Sequence, residues 1–523
     1  MKKISSVIGA AGMIAIVTLG ARFMGLVRKL AQSWAMSDGV VAGTYDTANT
    51  VPNILFEVVA GGALAGAVIP LISRFLAHNL HQEESKTVSA LVTWILTVSI
   101  PIAVIVMFCA RFITSFLLAS GSAAQIDLGT TLLQIFAWQI PLYGLSVVFS
   151  GVLQAHKRFG LPAVAPLISS TVVVGVFVWY ALSVGAQTQP QDISTMAIVL
   201  LGWGTTAGVA VFSLVQLPAV MRIVKIRFSW SFPPGVARDT VRLGGAGLAG
   251  LIAQQLAILS IMYSTNDLSD PGTFAAFNYA YAVFMVPYAV LAVPIATAVF
   301  PRISQAFELH EMQKLRHLVE NSTYLVLLMG ATAAVLIATL ATPAKGIIEL
   351  GNTITGLDIA LQSMAFGAIG FSLLYHGARV LYALGRPYLV IASNSIAWCA
   401  VIACLALGYV FDVHGREATL QWVGVSLSVG LTIGGVVLVG FLRHASGARI
   451  VFAYRARLAR GGGVLAISGS VAWFLVPRVE IWFINLLGPG IIPSLIAASI
   501  GALVVLGPMF YIVGIDFRKK AFV

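Results

Sequence analysis

The chain has 523 residues, of which 59% are apolar and only 10% charged, and its mean hydropathy is +0.94. That composition excludes a soluble domain and places the chain among polytopic, all-α membrane proteins. The net charge of +12 is scattered over short connections between apolar runs. It is therefore no nucleic-acid footprint, which would need a soluble basic domain.

The apolar runs are about 20 residues long and do not alternate, which argues against a β-barrel. Fourteen transmembrane helices are predicted, near residues 5–30, 41–74, 86–109, 128–153, 162–185, 195–222, 242–264, 273–303, 319–341, 357–383, 388–411, 419–442, 462–478 and 490–515. Met1-Lys2-Lys3 before an apolar run imitates a secretory signal. The run continues through Arg22 to Lys29, so it reads as a retained first span. Cys109, Cys399 and Cys404 all lie in apolar runs with no metal or disulfide spacing, and read as small core residues.

An even number of spans puts both termini on one side. With that side cytoplasmic, all but seven of the 31 basic residues fall on the inner face. The exceptions are Arg22, Arg28, Lys29, Arg111, Lys345, Arg416 and Arg478. A missed or invented span would scramble this alternation, and it holds to the end of the chain.

The chain also resembles itself at a period of about 230 residues. Val152-Leu153-Gln154-Ala155-His156-Lys157-Arg158 closes span 4, and Val380-Leu381-Tyr382-Ala383-Leu384-Gly385-Arg386 closes span 10; both read V-L-x-A-x-x-R. Val51-Pro52 and Ile69-Pro70 through Arg74 in span 2 are echoed by Val286-Pro287 and Phe300-Pro301 through Gln305 in span 8. Both alignments shift by six helices, an even number, so the two copies share one orientation. The expectation is two parallel six-helix lobes around a central cavity, with two helices added. The corresponding divisions are 1–224, 225–443 and 444–523. Pro52, Gly61, Gly62, Gly66 and Pro70, with Pro287, Pro294 and Pro301, would let spans 2 and 8 bend.

Arg22 and Arg28 stand within span 1. Arginine in a bilayer costs at least a few kcal/mol and marks a functional site by default. Guanidinium also grips a diphosphate bidentately. Six residues separate the pair, about 120° around a helix and about 9 Å along it, which suits a curved wall. Asp46 and Glu57 are the acids well inside span 2, read as counter-charges to the arginines or as a coupling site for a cation or proton. Gln254, Gln255, Asn278 and His376 are polar residues in apolar surroundings, where interhelical hydrogen bonding is the commoner use. Arg158 and Arg302 are placed to draw an anion to the inner mouth. Glu83-Glu84 reads as a solvated loop pair.

Ala21-Arg22-Phe23-Met24-Gly25-Leu26-Val27-Arg28 is similar to the R-x-x-G-x-x-R block of the first helix in the MurJ (MviN) lipid II flippases. Asn49-Thr50-Val51-Pro52-Asn53 with Gly61-Gly62-Ala63-Leu64 resembles their second helix. His156 through Pro166 resembles their helix 4–5 junction. Ala280-Tyr281-Ala282 through Val290 resembles helix 8 of actinobacterial members. The resemblance runs from about residue 10 to 440. It implies the MOP exporter fold and alternating access in the bacterial cytoplasmic membrane. The substrate it implies is lipid II, an undecaprenyl-diphosphate-linked disaccharide-pentapeptide carried to the outer leaflet for peptidoglycan synthesis. Membrane lipids and cell-wall synthesis machinery are the other partners it implies. No cofactor, metal or catalytic residue is expected.

On this resemblance Arg22, Arg28, Asn49 and Asn53 are the substrate-binding candidates. Asp46 and Glu57 are the counter-charge or coupling candidates, and Pro52, Gln254, Gln255, Asn278, Arg158 and Arg302 line the cavity or its gate. Gly43, Phe56, Glu57 and Ala282 stand where many members carry charged groups, so only the two arginines carry over residue by residue. Related readings are an O-antigen or teichoic lipid-diphosphate flippase and a drug/cation antiporter, which would prefer an acidic cavity. A polytopic enzyme of lipid-linked sugar metabolism would want clustered carboxylates for Mg²⁺, and the inner-loop acids are scattered.

Overall fold

A computed structural model describes residues 20–58, 65–185, 189–232, 248–269, 272–350, 352–448 and 454–518. These residues form helices with no strand among them. They divide into two compact units, Met1–Gln255 and Leu256–Val523. Among the described residues ten helices are long and apolar enough to cross a membrane, and one pair bent by 51° makes an eleventh.

The first unit contains α1 (20–36), α2 (Val40–Glu57), α3 (Ala65–Ala77), α4 (His81–Phe108), α5 (Ala110–Leu117), α6 (Ala123–Phe136), α7 (Gln139–Ala155), α8 (Gly160–Ser183), α9 (Thr195–Val199), α10 (Thr205–Leu214) and α11 (Leu217–Met221). The second continues with α12 (Leu248–Asp267, which crosses the division), α13 (Thr273–Leu291), α14 (Val293–Glu308), α15 (Met312–Thr339), α16 (Ala341–Glu349), α17 (Leu357–Met364) and α18 (Gly367–Ala383). Four further helices follow: α19 (Pro387–Val410), α20 (Arg416–Ser446), α21 (Arg455–Leu487) and α22 (Ile491–Arg518). Of the three expected spans outside the count of eleven, 41–74 holds α2 and α3, 242–264 overlaps α12, and 5–30 overlaps α1 from residue 20 onward, its earlier part lying outside the described residues. Residues 1–19, which include Lys2 and Lys3, and Gly61 and Gly62 lie outside the described residues.

The internal repeat is visible in element order within each unit. A long helix followed by a short one occurs as α4–α5 and again as α15–α16, and a span broken near its middle occurs as α6–α7 and as α17–α18. The packing partners repeat as well: α2 on α6 and α13 on α17, α4 on α7 and α15 on α18, α3 on α7 and α14 on α18. The pair α21–α22 packs on itself and on α15 and α16, inside the second unit.

The V-L-x-A-x-x-R motif turns out to be a helix-ending device. In α7 the Arg158 N–H donates to the Leu153 carbonyl at 2.8 Å, and Lys157 has φ +60°. In α18 the Arg386 N–H donates to the Leu381 carbonyl at 2.9 Å, and Gly385 has φ +66°. This bond back over five residues, closed through a left-handed residue, satisfies carbonyls the helix would otherwise leave orphaned. Glycine takes that conformation freely, whereas lysine at 157 accepts a local cost of about 1 kcal/mol. Small residues also set helix contacts in the second unit. A Cβ on Gly435 would stand 3.0 Å from the Gly370 Cα, so α18 and α20 touch backbone to backbone.

The three cysteines are free thiols, and they are not core residues: Cys109 and Cys399 are exposed. An apolar run in a membrane helix includes the lipid-facing side, so apolar surroundings in sequence do not place a residue inside the bundle. The lipid-facing side is plain on α4, where Val98, Ile105 and Phe108 are exposed.

Candidate functional site

Polar side chains of the first unit concentrate where α1 turns back into α2. Ser37, at φ +54°, and Gly39 make the turn, so residues equidistant from it face one another. Lys29 and Asp46 are such a pair. Lys29 Nζ lies 3.2 Å from Asp46 Oδ1, and Gln32 holds both, accepting from Lys29 at 2.8 Å and donating to Asp46 at 2.9 Å. Gln32 and Asp46 are buried, at 1% and 4% exposure. A bare carboxylate there would be costly, and the ammonium and amide together make it tolerable.

Asp46, Asn49, Asn53 and Glu57 are spaced so that they form one stripe along α2. The helix is anchored by Tyr45, whose hydroxyl is 2.9 Å from Thr205 Oγ1 and whose ring meets Phe136 and Phe177 edge-on. Lower on the stripe, Asn53 is committed at both ends of its amide. Its Nδ2 donates to the Asn49 carbonyl at 2.8 Å, and its Oδ1 accepts from the Tyr143 hydroxyl at 2.8 Å. Tyr143 also stacks on Phe56 with ring centroids 4.4 Å apart. Asn49 is buried with its Oδ1 unpartnered among the described residues. Pro52 is buried inside α2.

The two arginines behave differently from Lys29. Arg22 is exposed on α1 and Arg28 is half-buried. Neither has an acid within ion-pair distance among the described residues. Arg28 lies close enough to act electrostatically on Tyr45 and Tyr143. Glu57, exposed in the last turn of α2, also acts electrostatically on Tyr143. The counter-charge on α2 therefore goes to Lys29, and Arg28 is without an acid partner among the described residues.

Residues 33–487 match the sequence profile of the family described as Lipid II flippase MurJ. The chain belongs to that family. Relatives include the lipid II flippase MurJ of Burkholderia cenocepacia, 26% identical over 382 residues, which are 70% of this chain and 71% of that one. The probable lipid II flippase MurJ of Vibrio cholerae is 24% identical over 482 residues, 88% of each chain. Among solved structures, a lipid II flippase MurJ in an inward closed conformation has a TM-score of 0.75 at 16% identity, covering 97% of this chain and 99% of its own. An inward-facing multidrug transporter of the MATE family reaches 0.67 at 13% identity, covering 83% and 98%. The fold is that of the MOP superfamily.

The family profile covers Asp46, Asn49, Pro52, Asn53 and Glu57 and begins beyond Arg22, Arg28 and Lys29. Other candidates lie apart from the α1–α2 hairpin in the chain. Arg158 is exposed in the α7–α8 connection and Arg302 is exposed on α14. Gln254 is half-buried on α12, and Gln255 is buried there with its Oε1 unpartnered among the described residues. Asn278 is half-buried on α13 and has partners of its own. His376 joins α18 to α15 through Ser322 at 3.2 Å and Thr323 at 3.3 Å, an interhelical bond of the ordinary kind.

Lys29, Gln32 and Tyr143 were missing from the sequence candidates. Recognising the turn at Ser37–Gly39 was the signal for the first two, because it sets Lys29 opposite Asp46. Tyr143 had no local signal. Glu84 corrects the expectation of a solvated pair: it is buried, and its carboxylate lies 2.5 Å from His156 Nε2. The reason is that α4 begins at His81, so Glu84 sits in a helix packed on α7.

Proposed function

We propose that this chain moves lipid II from the inner to the outer leaflet of the bacterial cytoplasmic membrane by alternating access, with both termini cytoplasmic. Membership of the MurJ family over residues 33–487 is the observation that carries the reading. The charge asymmetry of the loops supports the orientation.

The hairpin chemistry suits a lipid diphosphate. Such a headgroup brings about two negative charges, and stripping its water is costly unless fixed donors replace it. Arg28 supplies paired N–H groups, and among the described residues no ion pair must be broken to free them. Lys29, by contrast, is already neutralised by Asp46. Arg22, exposed on the same helix, adds a second fork of donors. Asn53 acts by holding the Tyr143 hydroxyl, within the electrostatic reach of Arg28, rather than by offering a free amide. Glu57 and the buried Asn49 complete the polar stripe. Pro52 provides the flexible point of α2, while Gln254, Gln255, Asn278, Arg158 and Arg302 serve the pathway and its inner mouth. The transport itself requires no covalent step and hence no catalytic residue.

Depletion of the protein, followed by a leaflet-resolved assay of lipid II, tests this reading. Accumulation of lipid II in the inner leaflet supports it. Loss of lipid II synthesis would instead make the chain an enzyme of the pathway.

A further inference from the structure

Beyond α11 the segment 225–230 has no regular secondary structure and is strapped along the start of α4. Two spacings make the fit. Ser89 and Thr93 are about one helical turn apart, roughly 6 Å, close to the step between alternate residues of an extended chain, roughly 6.7 Å. The Arg227 N–H therefore donates to Ser89 Oγ at 3.0 Å and the Ser229 N–H to Thr93 Oγ1 at 3.1 Å. The Trp94 indole N–H donates to the Trp230 carbonyl at 3.0 Å, and the two rings meet edge-on.

Helix and strap enclose an open cavity of about 550 Å³, lined by Ser85, Lys86 and Ser89 on one side and Lys225, Arg227 and Ser229 on the other. Lys86, Lys225 and Arg227 are exposed, and none has an acid partner among the described residues. The nearby carboxylate of Glu84 is buried and held by His156, with the exposed His81 Nδ1 at 3.6 Å from its other oxygen. Three cations thus face one space with no counter-charge among the described residues, an arrangement that an anion relieves.

The exposed face of α4 also marks where the membrane begins. From Val98 to Phe108 its exposed large side chains are apolar, whereas His81, Gln82 and Lys86 are exposed at its start. Trp94 and Trp230 stand at the crossover, as amphipathic rings do at a headgroup boundary. Ser89 is five residues from Trp94, roughly 8 Å along the axis, so the cavity lies at headgroup depth.

We propose that this cavity binds the phosphate of an anionic glycerophospholipid, whose acyl chains run along α4 beyond Trp94. The inference is independent of the transport reading. Two lysines and an arginine at one site are phosphate chemistry, and the adjoining apolar face selects a lipid over a free phosphate.

The test is a titration of the full-length protein in detergent with palmitoyl-oleoyl phosphatidylglycerol, counting bound lipid by native mass spectrometry, with phosphatidylcholine and inorganic phosphate as separate arms. Each cation is worth about fivefold in affinity. The Lys86→Ala/Lys225→Ala/Arg227→Ala variant should therefore lose on the order of a hundredfold in phosphatidylglycerol affinity. The charge-keeping variant Lys86→Arg/Lys225→Arg/Arg227→Lys should stay within about threefold, and so should the matched removal Lys314→Ala/Arg386→Ala/Arg455→Ala. Phosphatidylglycerol binding unchanged in the alanine variant would overturn the proposal, as would equal losses in the matched control. Displacement of the lipid by millimolar inorganic phosphate, without preference over phosphatidylcholine, would overturn the lipid assignment in favour of a soluble phosphate. A loss in the charge-keeping variant as large as that of the alanine variant would likewise overturn it, because the charge on which the site is argued would still be present.

Discussion

Asp46 offers the sharpest test of how the α1–α2 hairpin is built. Asp46→Ala leaves the Lys29 ammonium without its carboxylate at 3.2 Å and strips Gln32 of its acceptor. Removing one member of a buried pair costs about 3–5 kcal/mol because the remaining charge stays desolvated, and the Lys29 side chain, 17% exposed, places this pair at the lower end. At about 2–4 °C per kcal/mol for a unit of this size, the midpoint of thermal unfolding should fall by about 10 °C. Replacing both partners, as Lys29→Met/Asp46→Leu, removes the charge and its counter-charge together and should recover most of that loss. Unfolding of purified protein in detergent, followed by tryptophan fluorescence, measures all three forms. A midpoint for Asp46→Ala within about 2 °C of the parent would refute the pairing argument, as would a double variant no better than the single one. Transport separates the two roles open to Asp46. If its task is to neutralise Lys29, the double variant keeps flipping lipid II; if it couples transport to an ion, the double variant stays inactive however stable it is.

Arg28→Ala should abolish or severely reduce flipping at normal membrane abundance, and Arg22→Ala should do likewise, while lysine at either position keeps partial activity; the leaflet distribution of lipid II in complemented cells reports it. Tyr143→Phe loses the 2.8 Å bond to Asn53 but keeps the stack on Phe56, so unfolding should shift by only about 1 kcal/mol, against about 3–5 kcal/mol for Tyr143→Ala. Glu84→Ala should destabilise by about 1–3 kcal/mol through loss of the His156 contact, whereas Glu83→Ala should stay within about 0.5 kcal/mol.

Element type and order were legible from hydropathy because a membrane helix must satisfy its own backbone, so each apolar run could only be a span. The repeat was legible for a different reason. V-L-x-A-x-x-R ends both α7 and α18 by the same backbone turn, and a turn that needs particular residues leaves a trace in sequence. Which side chains meet was harder to read. Arg22 and Arg28 announce themselves by their cost in a bilayer, yet Asp46 chose Lys29, a choice set by where the hairpin turns. Tyr143 reaches Asn53 across 90 residues of chain, and nothing local marks it. Cys109 and Glu84 were misread in opposite directions, since hydropathy separates membrane from water but not lipid face from helix contact.

The central claim is that this chain itself carries lipid II across a bilayer. Purified protein reconstituted into liposomes with a headgroup-labelled lipid II, and challenged with a membrane-impermeant quencher, measures that directly. Liposomes holding the parent protein should expose nearly all the label to the quencher over time, while those holding well-folded Arg28→Ala should plateau at the fraction that was outside from the start. A plateau at that same fraction with the parent protein would contradict the account.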